Sequence, residues 1–112
     1  VLIPSEVAEI KVATDAYNTT IQAAATTNNL AFVDAKAIMD QLGTATGISG
    51  NGYTLTSTFV TGGAFSLDGV HPSPRGYALI ANKFIEAINK TYGSNLKGVS
   101  LADYRILFPA SL

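Results

Sequence analysis

The sequence predicts an α/β fold, and three observations carry that prediction. Two long stretches repeat apolar residues at three- and four-residue steps, the mark of amphipathic helices. A run of four apolar residues stands alone between turn signals, as a strand buried on both faces of a parallel sheet does. A further stretch alternates apolar residues with threonines, the pattern of a strand with one polar face.

The first helix opens at Pro4-Ser5, where Ser5 is a suitable N-cap. Val7, Ile10, Thr14, Tyr17 and Ile21 form its stripe, and Asn28-Asn29 end it at about residue 27. Leu30 to Val33 is the buried strand. Asp34 closes it, either as a functional group at the C-terminal end of a strand or as the cap of the next helix. Ala35 to Leu42 reads as a short helix with Ile38, Met39 and Leu42 inward and Gly43 as C-cap.

Residues 43–52 are rich in turn formers. Tyr53, Leu55, Ser57 and Phe59 then alternate with threonines, Gly62-Gly63 makes a turn, and Ala64 to Leu67 returns as a second strand. This inserted hairpin is either a contributor to substrate binding or an ordinary edge hairpin, with Tyr53 and Phe59 as packing residues.

Ser73 caps the second long helix, and Pro74 suits its first position, where no N–H is needed. Tyr77, Ile80, Ala81, Phe84, Ile85 and Ile88 make one face; Asn82, Lys83, Glu86, Asn89 and Lys90 make the other; Gly93 ends the helix. Arg75 either meets a substrate carboxylate or phosphate, or covers apolar surface or pairs with an acid. The segment from Ser94 shows no period. Leu96, Val99, Leu101, Tyr104, Ile106, Leu107 and Phe108 nevertheless make it too apolar to hang free.

Composition narrows the function. A net charge of -1 without a basic run argues against nucleic acid as a partner. No run approaches the ~18 apolar residues of a membrane span. Zero cysteines exclude disulfides and thiolate metal sites, and a single histidine among scattered acids offers no metal-ligand spacing, so no cofactor is expected. The charged share of 13% is low, as suits a piece whose surfaces are partly covered by something else.

That single histidine carries the chemistry. His71 stands in Asp68-Gly69-Val70-His71-Pro72, three residues after an acid. Histidine exchanges protons near neutrality. A carboxylate across a tight turn can fix its tautomer and stabilise the imidazolium. A loop at the mouth of a rigid helix is where such groups are held.

Phe65-Ser66-Leu67-Asp68-Gly69-Val70-His71-Pro72-Ser73, followed by Gly76-Tyr77 and an amphipathic helix, resembles the last block of the SGNH (GDSL-type) hydrolases. The resemblance implies that Asp68 and His71 are the acid and base of a Ser-His-Asp triad. It implies a three-layer α/β/α, flavodoxin-like fold, an ester substrate, and a secreted, periplasmic or cell-envelope parent. The family's Gly-Asp-Ser block, which bears the nucleophile, and its Gly-x-Asn-Asp block, which serves the oxyanion hole, occur nowhere here, nor does a Gly-x-Ser-x-Gly elbow.

Residues 1–112 are therefore expected to be the C-terminal part of a single SGNH-like domain, inactive alone. The helix faces of Tyr17 and Ile21 and of Phe84 and Ile88 would need a sheet to cover. The expected partner is the missing N-terminal half or a second copy of the chain. The alternative is a non-catalytic α/β interaction or structural module in which the Asp-His pair is a relic.

Overall fold

The computed structural model describes residues 1–106, so Leu107 and Phe108 lie outside the described residues. Two compact units divide the chain, Val1–Phe32 and Val33 onward.

The first unit is one helix, α1 (Pro4–Thr27). Pro4 occupies its first turn, and the Glu6 carboxylate accepts the Ile3 N–H at 2.8 Å, so the helix starts one residue before the expected Ser5 cap. The hydroxyls of Thr14, Thr19, Thr20 and Thr26 each donate to the carbonyl four residues back, so these side chains find their acceptors within the helix. Asn29 takes a left-handed φ of 53°, while Leu30 N–H bonds Ala25 C=O and Asn29 N–H bonds Thr26 C=O. This is a Schellman ending with asparagine in glycine's usual place. Tyr17 and Ile21 are exposed.

Leu30 to Val33 corrects one expectation, because it forms no strand. Among the described residues there is a single sheet of two antiparallel strands, and no parallel neighbour offers this segment a ladder. The described residues form three α-helices and a two-stranded sheet, which is compatible with the α/β class in its coarse sense.

The second unit begins with α2 (Ala35–Leu42). Asp34 accepts the Ala37 N–H at 2.8 Å, which decides between its two readings: it is a cap. Leu42 is buried, and Met39 is 45% exposed.

The hairpin pairs β1 (Ile48–Gly50) with β2 (Tyr53–Leu55), in the register Ile48 to Leu55 and Gly50 to Tyr53. It lies one step earlier than expected. Asn51 and Gly52 have φ values of 51° and 80°, the two left-handed residues of a type I′ turn that matches strand twist. Beyond Leu55 the chain leaves the sheet. Residues 56–64 close on themselves through Thr56 N–H to Gly62 C=O and Ala64 N–H to Thr56 C=O, so Gly62-Gly63 closes a loop instead of a hairpin.

Helix α3 (Pro74–Tyr92) ends at Gly93, whose φ is 62°. Its buried residues are Gly76, Ala78 and Leu79, while Tyr77 and Phe84, expected on the packed face, are more than half exposed. The core gathers Leu42, Ile48, Leu55, Ala64, Ala78, Leu79 and Leu101. None of the described helices is long and apolar enough to cross a membrane.

The segment after α3 packs back, as its apolar content predicts, but the contacts come from the helix face expected to meet water. The Asn82 side chain donates to Val99 C=O and accepts Val99 N–H, both at 2.8 Å. Asn89 does the same for Leu96, at 2.9 Å each way. Each amide replaces a strand partner, and Leu101 follows as a 1%-exposed core residue at the start of a 3-10 turn. Asn82→Ala leaves both Val99 groups without these partners. It is expected to lower stability by about 1–3 kcal/mol, read from the urea midpoint, and to speed amide exchange at Val99.

Candidate active site

The segment from Ala64 to Ser73 is a loop sewn shut by backbone bonds. Ser73 N–H bonds Ala64 C=O at 2.9 Å, Ser66 N–H bonds His71 C=O at 2.7 Å, and Gly69 N–H bonds Ser66 C=O at 3.0 Å. Gly69 turns the chain with a φ of 71°, which residues with a Cβ rarely adopt. Asp68 and His71 stand at the closed end.

Within this turn the Asp68 carboxylate divides its work. Oδ1 accepts three donors: the Ser66 hydroxyl at 2.6 Å and the N–H groups of Val70 and His71 at 2.9 Å each. Oδ2 meets His71 Nδ1 at 2.6 Å, inside the distance expected of a paired acid and imidazole. The carboxylate cannot turn without giving up bonds, so the imidazole faces a preset acceptor. The His71 side chain is 71% exposed, which leaves it open to a second group.

The donors also set the acidity of Asp68. The Ser66 hydroxyl first, then the Val70 N–H and the His71 donors, hold its carboxyl well below the usual carboxylate range. A depressed folded value means that this stabilisation is present above the unfolded value of about 3.9 and is lost only as pH falls through the folded value. The Asp68 carboxyl ¹³C shift is therefore expected to show no carboxyl inflection between pH 5 and pH 3. Ser66→Ala removes the largest contribution and moves the inflection upward; an inflection near pH 4 in the unsubstituted chain would contradict this account.

The helix behind the turn is anchored as firmly. Ser73 is fully buried; its hydroxyl donates to Gly63 C=O at 2.6 Å and accepts Gly76 N–H at 3.0 Å. Both expected roles hold: Ser73 is the cap and Pro74 opens the helix. Arg75 Nε donates to Leu101 C=O and Tyr104 C=O, both at 3.0 Å, and its guanidinium lies 3.7 Å from the centre of the Tyr53 ring. Arg75 thus serves packing, and Tyr53 is a packing residue as expected.

The structure brings Asp68 and His71 together and adds Ser66, which sequence reasoning overlooked as a partner of the acid. A hydroxyl two residues before the aspartate was the available signal. Ser66 and Ser73 both direct their hydroxyls elsewhere than His71. Among the described residues no group of three or more His, Asp or Glu side chains is placed to hold a metal ion.

A family model described as GDSL-like Lipase/Acylhydrolase matches residues 2–84, a span that includes Asp68 and His71. No curated protein and no solved structure matches the chain.

Proposed function

Because the chain belongs to the GDSL-like lipase/acylhydrolase family, we propose that it supplies the histidine and aspartate of a Ser-His-Asp triad in a serine esterase whose nucleophile lies outside residues 1–112. The observation that carries this reading is the 2.6 Å contact between Asp68 Oδ2 and His71 Nδ1, in a turn that leaves the imidazole exposed.

With Asp68 on Nδ1, His71 Nε2 is the free position. It takes the proton of the serine hydroxyl as Oγ bonds to the ester carbonyl carbon. The tetrahedral intermediate collapses by breaking the bond to the alcohol oxygen, and the imidazolium returns its proton to that alcohol. Water then repeats the sequence, with His71 again as base, and releases the carboxylic acid and the serine. Asp68 keeps the ring oriented and offsets its positive charge without taking the proton itself.

A fluorophosphonate probe, which modifies activated serines, tests the division of labour. The purified chain is expected to stay unlabelled at Ser66 and Ser73 and to show no burst with p-nitrophenyl acetate. Labelling of either serine that disappears in His71→Ala would place a complete site within the chain. A serine-bearing enzyme whose activity ignores His71 would instead make the pair a relic in a non-catalytic module.

A further inference from the structure

Residues 67–71, the tip of the histidine turn, are all exposed. Among the described residues, the hydrogen bonds of Asp68, Gly69, Val70 and His71 close within Ser66–His71 and tie the tip to no other segment. Such a tip opens easily unless another element packs on it. A side chain from a separate loop meets it between the acid and the histidine. A Cβ placed on Gly69 would lie 3.6 Å from Phe59 Cε2 and 3.7 Å from Phe59 Cδ2, so the ring sits against the bare backbone of Gly69.

The backbone behind Phe59 is strained. Val60 has a φ of 64°, and the Thr61 N–H bonds the Phe59 C=O across it at 2.8 Å. That bond closes a γ-turn of the positive-φ kind, rare for any residue and rarer with a β-branched one at its centre. The loop is fixed around it: Thr56 N–H bonds Gly62 C=O at 2.8 Å, and Gly62 N–H bonds Thr58 C=O at 2.9 Å. The core gains little from the strain, because Val60 is half-buried and Phe59 is 60% exposed. What the turn achieves is direction, since it holds the Phe59 ring on Gly69. Strain kept in place beside a functional turn serves pre-organisation.

We infer that Phe59 is a positioning residue for the Asp68–His71 pair, aimed by the strained turn at Val60. Its part in catalysis rests on the esterase reading; its contact with the turn does not. Phe59 acts through Gly69: the ring restricts the backbone that joins acid to imidazole and so keeps Asp68 Oδ2 on His71 Nδ1. A misplacement of about 1 Å at such a pair costs up to about 10²-fold in rate.

His71 is the only histidine in the chain, so its two ring ¹⁵N signals report the pair without overlap. In the neutral ring of the unsubstituted chain the proton is expected on Nδ1, held there by Asp68. Phe59→Ala is expected to shift that population toward Nε2 and to speed amide exchange at Val70 and His71 about tenfold, while the amides of α3 keep their rates. Phe59→Tyr keeps the ring and is expected to match the unsubstituted chain. In Val60→Gly, glycine takes the same φ without the Cβ penalty. That variant is expected to loosen the Val70 and His71 amides without lowering the urea midpoint.

Unchanged exchange at Val70 and His71 in either Phe59→Ala or Val60→Gly overturns the inference. So does a speeding shared equally by α3, which would make Phe59 a contributor to general stability only. In the enzyme completed by its serine, Phe59→Ala is expected to lower kcat about tenfold and to leave KM nearly unchanged. Full kcat with a loosened turn overturns the positioning role. Activity indifferent to His71 sinks the esterase reading alone, because the exchange and ¹⁵N measurements need no substrate.

Discussion

Replacing His71 with alanine, in the enzyme completed by its serine, is expected to lower kcat by about 10⁴- to 10⁶-fold and to leave KM nearly unchanged. On the proposed mechanism, the serine then has no acceptor for its proton and the leaving alcohol has no donor. Asp68→Asn is expected to cost about 10³- to 10⁴-fold, because an amide that presents its N–H to Nδ1 favours the wrong tautomer. The double variant should be little worse than His71→Ala, since the two groups act as one unit. Single-turnover kinetics with p-nitrophenyl acetate measures all three. Additive losses would mean that Asp68 acts independently of the imidazole, against the 2.6 Å contact between them.

The second large effect concerns a glycine with no chemistry of its own. In an exposed helix, glycine to alanine gains about 1 kcal/mol. At Gly76 the sign reverses. A Cβ there would lie 2.1 Å from the Ala64 carbonyl oxygen and 3.1 Å from Pro72 Cβ. That carbonyl already accepts the Ser73 N–H, so it cannot retreat without opening the base of the histidine turn. Gly76→Ala is expected to lose about 3 kcal/mol or more, measured by urea unfolding, with the Asp68–His71 contact loosened in parallel. A neutral or stabilising result would show that α3 can shift off the Ala64 segment at little cost.

Gly76 also marks the boundary between what could and could not be read in advance. Its place at the third position of a capped helix is local information; its approach to Ala64, twelve residues earlier, is not. The hairpin sits between the two cases. Asn51-Gly52 is a legible type I′ signal, but the threonine alternation that continues to Phe59 extends the apparent strand beyond Leu55, where the backbone turns to bond residues 62–64 instead. Leu30 to Val33 has the composition of a buried strand, and composition cannot supply the neighbouring strand that would make it one.

By itself the sequence determined the features that depend on residues within about one turn of each other. These are the helices with their Ser73 and Pro74 start and their Asn29 and Gly93 ends, and the Asp68–His71 pair three residues apart. Only the tertiary structure decided which face of α3 is buried, that Asn82 and Asn89 hold the following segment, and that Arg75 reaches Leu101 and Tyr104 in place of a substrate. The reason is physical. Caps and tight turns are satisfied by neighbours in the chain, so residue type and spacing specify them. A buried backbone group or a helix face is satisfied by whatever the fold brings near, and for the Leu101 N–H that is the Asn51 side-chain oxygen, fifty residues earlier.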